Sequence, residues 1–241
     1  GNYIYIYMDH IPYKLKDWIP IENLCWTRLS CNPRAACLLV TRQDEINWKL
    51  LSRYADYSGL ALLENNSSKI SWHDLCRNPN AIELLYKNQD ALSWFILCRN
   101  PNALYLLNKN PRKFYWPYIS QNPNAIHIIE KNLDKIHWES LSKNPNALHI
   151  LEMNLDKVHW HWLSANPNAI KLLERFPDFI YWPWLSSNPN AVHILEKNIG
   201  SIHWDELSKN PNAIHILEQH FDKIHWTELS SNPNAITLLE K

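Results

Sequence analysis

Leu133-Asp134-Lys135-Ile136-His137-Trp138-Glu139-Ser140-Leu141-Ser142-Lys143-Asn144-Pro145-Asn146-Ala147-Leu148-His149-Ile150-Leu151-Glu152-Met153-Asn154 decides the fold, because close copies of it follow one another along most of the chain. Its central Asn-Pro-Asn-Ala starts at Asn78, Asn100, Asn122, Asn144, Asn166, Asn188, Asn210 and Asn232, always 22 residues apart. A ninth copy, Asn-Pro-Arg-Ala, starts at Asn32. The 46 residues from Asn32 to Asn78 leave room for one degenerate unit, in which a two-residue insertion within 54–59 replaces the Asn-Pro turn. The chain therefore holds ten units, and a fixed period of this length signals a repeat architecture.

Ten of the 13 tryptophans stand at one register position, six residues before the Asn: Trp26, Trp48, Trp72, Trp94, Trp116, Trp138, Trp160, Trp182, Trp204 and Trp226. An apolar residue precedes each by two, and Leu or Ile follows each by three. Past the turn, Ala147, Leu148, Ile150 and Leu151 fall on one face of a helix. The unit reads as two short helices. Asp134 is the expected cap of the first, with Leu133 stapled on Trp138 at the fourth helical position. The Ile136-x-Trp138 alternation equally suits an extended or 3₁₀ lead-in. Asn144 is expected to cap the second helix with Pro145 at its first position, and Asn154 to leave it in a left-handed conformation.

Helices this short are marginal alone in water, so each must bury a face against its neighbours. The expected fold is all-α, a right-handed α-solenoid of about ten 22-residue two-helix repeats over residues 21–241. Residues 1–20, with Tyr3, Tyr5, Tyr7 and Trp18 outside the pattern, are expected to form an amino-terminal cap. The carboxyl end, Leu238-Leu239-Glu240-Lys241, stops straight after a second helix, which predicts either continuation of the natural chain or end-to-end self-association.

Composition narrows the function classes. The 241 residues carry 24 Lys plus Arg against 24 Asp plus Glu, a formal charge of zero. Broad binding to nucleic acid or anionic membrane depends on excess cations, so neither is favoured. Only 3 glycines leave little for a phosphate loop, and no apolar run approaches a membrane span. The start lacks the basic flank and cleavage site of a signal peptide. A cytoplasmic protein is expected.

The units Ile-His-Trp-x-x-Leu-Ser-x-Asn-Pro-Asn-Ala-Ile-x-x-Leu-Glu-x-Asn resemble the tandem repeats encoded in many copies by giant nucleocytoplasmic DNA viruses of the mimivirus type. The likeness covers residues 21–241 and departs mainly between Trp48 and Ile70 and at Arg34. It implies a viral protein acting in the host cytoplasm, with a host factor or another viral component as partner. A looser similarity links it to leucine-rich repeat variant solenoids, which pair an α with a 3₁₀ helix around an Asn-Pro or Asp-Pro turn.

Residues common to every unit are expected to serve the stack, the ten tryptophans by forming its shared interior, and a ladder of Asn side chains along it is expected because buried turns need partners. Binding information should sit where units differ. The two positions after each Trp hold four large aromatics, Phe95, Tyr118, Trp162 and Trp184, expected to face solvent as anchors for a protein partner. Of the 12 histidines, His137, His159, His203 and His225 precede a Trp and His127, His149, His193 and His215 recur in the second helix, layers apart and too far to converge readily on a metal, so neither metal nor cofactor is expected. Cys25, Cys31, Cys37, Cys76 and Cys98 are expected to be reduced thiols, with no bond between Cys76 and Cys98. No nucleophile-and-base motif, P-loop or dinucleotide turn is present.

The sequence thus predicts a non-catalytic scaffold for protein–protein interaction. Two alternatives remain open: a solenoid binding single-stranded nucleic acid, against which the lack of a Lys/Arg ladder counts, and a structural protein assembling end to end.

Overall fold

The computed structural model describes residues 19–239. Among these, every element is α or 3₁₀ helix and there is no strand. The fold is an all-α solenoid: equivalent helices recur at each repeat and pack on those of the adjacent one. The expected amino-terminal cap, with Tyr3, Tyr5, Tyr7 and Trp18, lies outside the described residues. The contacts divide the chain into two compact units, residues 1–119 and 120–241. Both are built from the same repeat.

The unit at residues 133–154 shows how the backbone departs from expectation. The 3₁₀ lead-in is the alternative realised: a 3₁₀ turn spans Leu133–Lys135, and the first α-helix is only Trp138–Ser142. Asp134 is not its cap. Ile136 is extended (φ −62°, ψ 136°) and buried, which pulls the chain straight up to His137. His137 is the cap, its Nδ1 accepting the Ser140 amide at 3.3 Å, and Trp138 is the first helical residue. Leu133 is 48% exposed, and with Trp138 at the first helical position the expected staple geometry is absent. Asn144 does not cap the second helix directly either. Its Oδ1 accepts the Asn146 amide at 3.0 Å, closing a tight turn around Pro145, and the helix begins later, at Leu148–Glu152. Asn154 is not left-handed but sits at φ −138°, ψ 52°. Its side chain reaches back instead, donating to the Ile150 carbonyl at 2.8 Å and satisfying an open helix end.

The interior is aliphatic and polar rather than aromatic. Leu141, Leu163, Leu185 and Leu207, three residues after their tryptophans, are fully buried, as are Ala147, Ala169, Ala191 and Ala213 behind each turn. From the second helix come pairs such as Ile150–Leu151 and Leu172–Leu173. Each such Leu or Ile contributes about 1.5–3 kcal/mol by leaving water. The periodic tryptophans, expected to form the shared interior, are half-buried, and Trp226 is 54% exposed. Their rings lie on the flank, covered by the segment leading into the next repeat. Phe179 stacks on Trp160 at 4.8 Å, His220 meets Trp204 at 5.1 Å, and Lys157 Nζ lies 4.9 Å from the Trp138 ring. An indole does this well because it offers a broad apolar face with its rim still in water.

Two polar ladders run through the layers. The expected Asn ladder is present: Asn166 Nδ2 donates to the carbonyls of Ser142 (3.2 Å) and Asn144 (3.1 Å), and Asn188 does the same to Ser164 and Asn166. The second Asn of the motif adds an outer rail, as when Asn190 donates to Pro167 O at 2.9 Å. A second ladder was not foreseen. Four residues after most of the periodic tryptophans a hydroxyl donates to the Trp carbonyl and accepts an amide from the next layer: Ser164 Oγ bonds Trp160 O at 2.8 Å and receives the Tyr181 N–H at 3.0 Å. Buried Asn and Ser are stable here because each of their polar side-chain atoms has a protein partner.

In the other unit the degenerate repeat solves the same problem differently. Asp56 caps Tyr57–Asn65, accepting the Ser58 and Gly59 amides at 3.0 Å each, and so stands in for the missing Asn-Pro turn. Gly59 is needed, since a Cβ there would lie 2.8 Å from that of Ala55. The Ala55 carbonyl still receives the Asn78 amide nitrogen at 2.9 Å, so the ladder reaches into this repeat, where Asp56 has no side-chain amide to carry it further.

Candidate functional site

Once the ladders and the core have claimed the common residues, the first helices retain two variable positions just after each Trp. In residues 1–119 these carry an aromatic cluster. Phe95, on Trp94–Leu97, lies 4.6 Å from both Tyr115 and Tyr118, and those two rings meet edge-on at 5.1 Å. Phe95 is 44% and Tyr115 41% exposed. Cys98 Sγ accepts the Tyr115 amide at 3.3 Å and so fixes the backbone that bears that ring. The Arg99 guanidinium stands 5.0 Å from the Tyr118 centroid.

In residues 120–241 the cluster is a tryptophan pair. Trp162 on Trp160–Ser164 and Trp184 on Trp182–Ser186 are 4.9 Å apart with planes at 55°. Lys143 Nζ caps the Trp162 face at 3.4 Å while keeping Glu139 at 3.5 Å, and His161 meets Tyr181 at 4.3 Å. Contacts of this kind contribute about 0.5–1.5 kcal/mol per ring pair.

The four sequence-predicted aromatics are thus joined two and two, Phe95 with Tyr118 and Trp162 with Trp184. They are not four separate solvent-facing anchors. Tyr118 and Trp162 are half-buried, because each ring shelters its neighbour one layer away. The reading missed Tyr115, Tyr181 and Lys143. Tyr115 and Tyr181 directly precede a Trp, where the backbone is extended and the side chain turns to the same face. Their signal was visible as Tyr-Trp-Pro at 115–117 and 181–183.

Histidine and cysteine take other roles. His149, His193 and His215 each meet a glutamate of the preceding repeat, Glu130, Glu174 and Glu196, at 2.9, 2.8 and 2.7 Å. Among the described residues no group of three or more His, Cys, Asp or Glu is placed to hold a metal, and no helix is long and apolar enough to cross a membrane. All five cysteines are free thiols. Cys76 and Cys98 occupy the serine rung, and burial holds both thiols above their ordinary pKa, against the pull of the amides they accept. They are inert stand-ins for a hydroxyl.

One expectation fails outright. A ladder of cations does exist: Arg53, Arg77 and Arg99 occupy one register position, five residues after Trp48, Trp72 and Trp94, and line a common pocket. The neutral total concealed it, because acids of the same repeats, such as Asp56, Glu64 and Glu83, balance these arginines in number without sharing their register. No family model, curated protein or solved structure matches the chain.

Proposed function

We propose that the chain is a non-catalytic repeat scaffold that binds protein partners through its aromatic clusters. The observation that carries this reading is the placing of Phe95, Tyr115 and Tyr118 in one unit and Trp162 and Trp184 in the other. All depart from the residues common to the repeat, with large rings left partly in water. Rings held at 4.6–4.9 Å across layers are rigid, so little rotamer entropy is lost when a partner covers them. Charge at the rim, from Arg99 and Lys143, suits a contact surface better than a core.

The test compares partner recovery from cytoplasm by the intact chain and by Trp162→Ala plus Trp184→Ala, with Phe95→Ala plus Tyr118→Ala as a second arm. Tyr57→Ala, at an 85% exposed ring away from both clusters, is the control. Loss of the same protein in a cluster variant but not in the control, with thermal melts of all variants cooperative, supports the reading. Equal recovery of every protein by all variants removes it.

A further inference from the structure

The arginine column forms a site of its own. Each of Arg53, Arg77 and Arg99 directly follows a rung residue, Ser52, Cys76 or Cys98, whose side chain is tied into the ladder. The backbone beneath the three guanidiniums is therefore fixed, one layer apart. Together with Tyr54, Pro79 and Asn100 they line a pocket of about 290 Å³. At the centre, Arg77 Nε is buried and has no hydrogen-bond partner. Among the described residues no ion pair joins any of the three to a carboxylate. Asp74, a turn before Arg77, is occupied by the Ser71 hydroxyl at 2.8 Å. The outer two arginines are steadied by rings, Arg53 at 5.4 Å from Tyr54 and Arg99 at 5.0 Å from Tyr118, which leaves their N–H edges free to donate.

Three like charges in adjacent layers repel, and a buried N–H without an acceptor is costly. An oxyanion in the pocket relieves both. We propose that this pocket binds a phosphoryl group. A carboxylate offers two oxygens and one charge, enough for a single guanidinium fork. A phosphomonoester brings three terminal oxygens and nearly two charges, which suits a pocket lined by three guanidiniums from successive layers. The group is borne either by a free phosphate compound or by a phosphorylated side chain of a protein. Nucleic acid fits less well: Cys31 holds the same register one repeat earlier, so in this direction the column stops at Arg53, whereas a strand needs a continuing track. The proposal does not depend on what the aromatic clusters bind.

The test is calorimetric titration of the full chain at low salt with inorganic phosphate, acetate, a short peptide carrying phosphoserine next to phenylalanine, and its unphosphorylated form. Saturable one-to-one binding of phosphate, at least tenfold tighter than acetate and weakened at least tenfold by Arg77→Gln, is the expected result. A phosphopeptide tighter than phosphate by tenfold, with the gain lost in Phe95→Ala, assigns a phosphorylated partner. Equal affinity for the two assigns a free phosphate compound. If Arg77→Gln does not melt cooperatively, Arg53→Gln plus Arg99→Gln serves in its place. No saturable binding of either phosphate probe, or binding indifferent to these substitutions, overturns the proposal. So does a single-stranded RNA oligonucleotide that binds tighter than both, with a salt dependence reporting more than three phosphate contacts.

Discussion

Residues 19–119 and 120–239 share a skeleton and differ in what it displays. Five residues after the tryptophans, the first unit presents Arg53, Arg77 and Arg99 with no acid within ion-pairing distance among the described residues. The second presents Lys143, Ala165, Ser187 and Lys209 at the same register. There the cations are occupied: Lys143 caps Trp162, and Lys209 bridges Glu206 at 3.0 Å and Glu228 at 3.3 Å, contacts that raise its pKa. The rungs differ too, with cysteine at 76 and 98 where the second unit has Ser142, Ser164, Ser186 and Ser208. A stack with invariant internal bonds frees its surface positions to vary without risk to the fold. The two halves are therefore one scaffold carrying two chemistries.

The sharpest way to break that statement is to cut the shared ladder in each half. Asn166→Asp and Asn100→Asp each turn a twofold donor into an acceptor facing two carbonyls, Ser142 and Asn144 in one case and Cys76 and Asn78 in the other. Each should lower stability by about 2–4 kcal/mol in urea unfolding, as two buried acceptors lose their partners. Clearly unequal losses would mean the ladders are not equivalent. The rungs come next. Ser164→Ala strands the Tyr181 amide and should cost about 1–3 kcal/mol, whereas Cys98→Ser keeps an acceptor for Tyr115 and should cost under about 1 kcal/mol.

A smaller effect separates the halves by pH. The folded thiols of Cys76 and Cys98 hold their protons above the ordinary value of about 8.5, so the unfolded chain loses protons first. Their contribution is intact below that value and is lost as pH rises towards the raised folded values. Unfolding midpoints of the intact chain should fall more steeply across this alkaline window than those of Cys76→Ser plus Cys98→Ser. Thiol labelling should modify exposed Cys25 well before either. Smallest of all, Glu174→Gln removes a half-exposed contact with His193 and should change stability by under about 1 kcal/mol, less still in high salt.

The period, the apolar stripe and the Asn ladder were legible because each repeats at a fixed spacing and obeys local helix geometry. Helix starts were not. Asp134 has the chemistry of a cap, yet the cap is His137, because burying Ile136 holds the backbone extended until Trp138. The serine rung was in plain view at Ser142 and Ser164, but its partner lies 17 residues on, and a hydroxyl next to a turn reads as solvent-facing. The tryptophans misled by size. Their area suggested an interior role, while the leucines three residues later fill the interior and the indoles seal its edge. Of the candidate site, the aromatic positions were legible from their departure from the consensus. Their pairing needed coordinates, and the arginine column was hidden by a balanced total charge.

The asparagine ladder is built from bonds between adjacent layers. Asn188 looks to Ser164 and Asn166, and Asn166 looks to Ser142 and Asn144. Excise residues 155–176, one whole period, and Asn188 would meet Ser142 and Asn144, which offer the same acceptors in the same places. Gene segments encoding such a chain can be copied or dropped in register without inventing an interface, so copy number becomes heritable variation open to selection from the start.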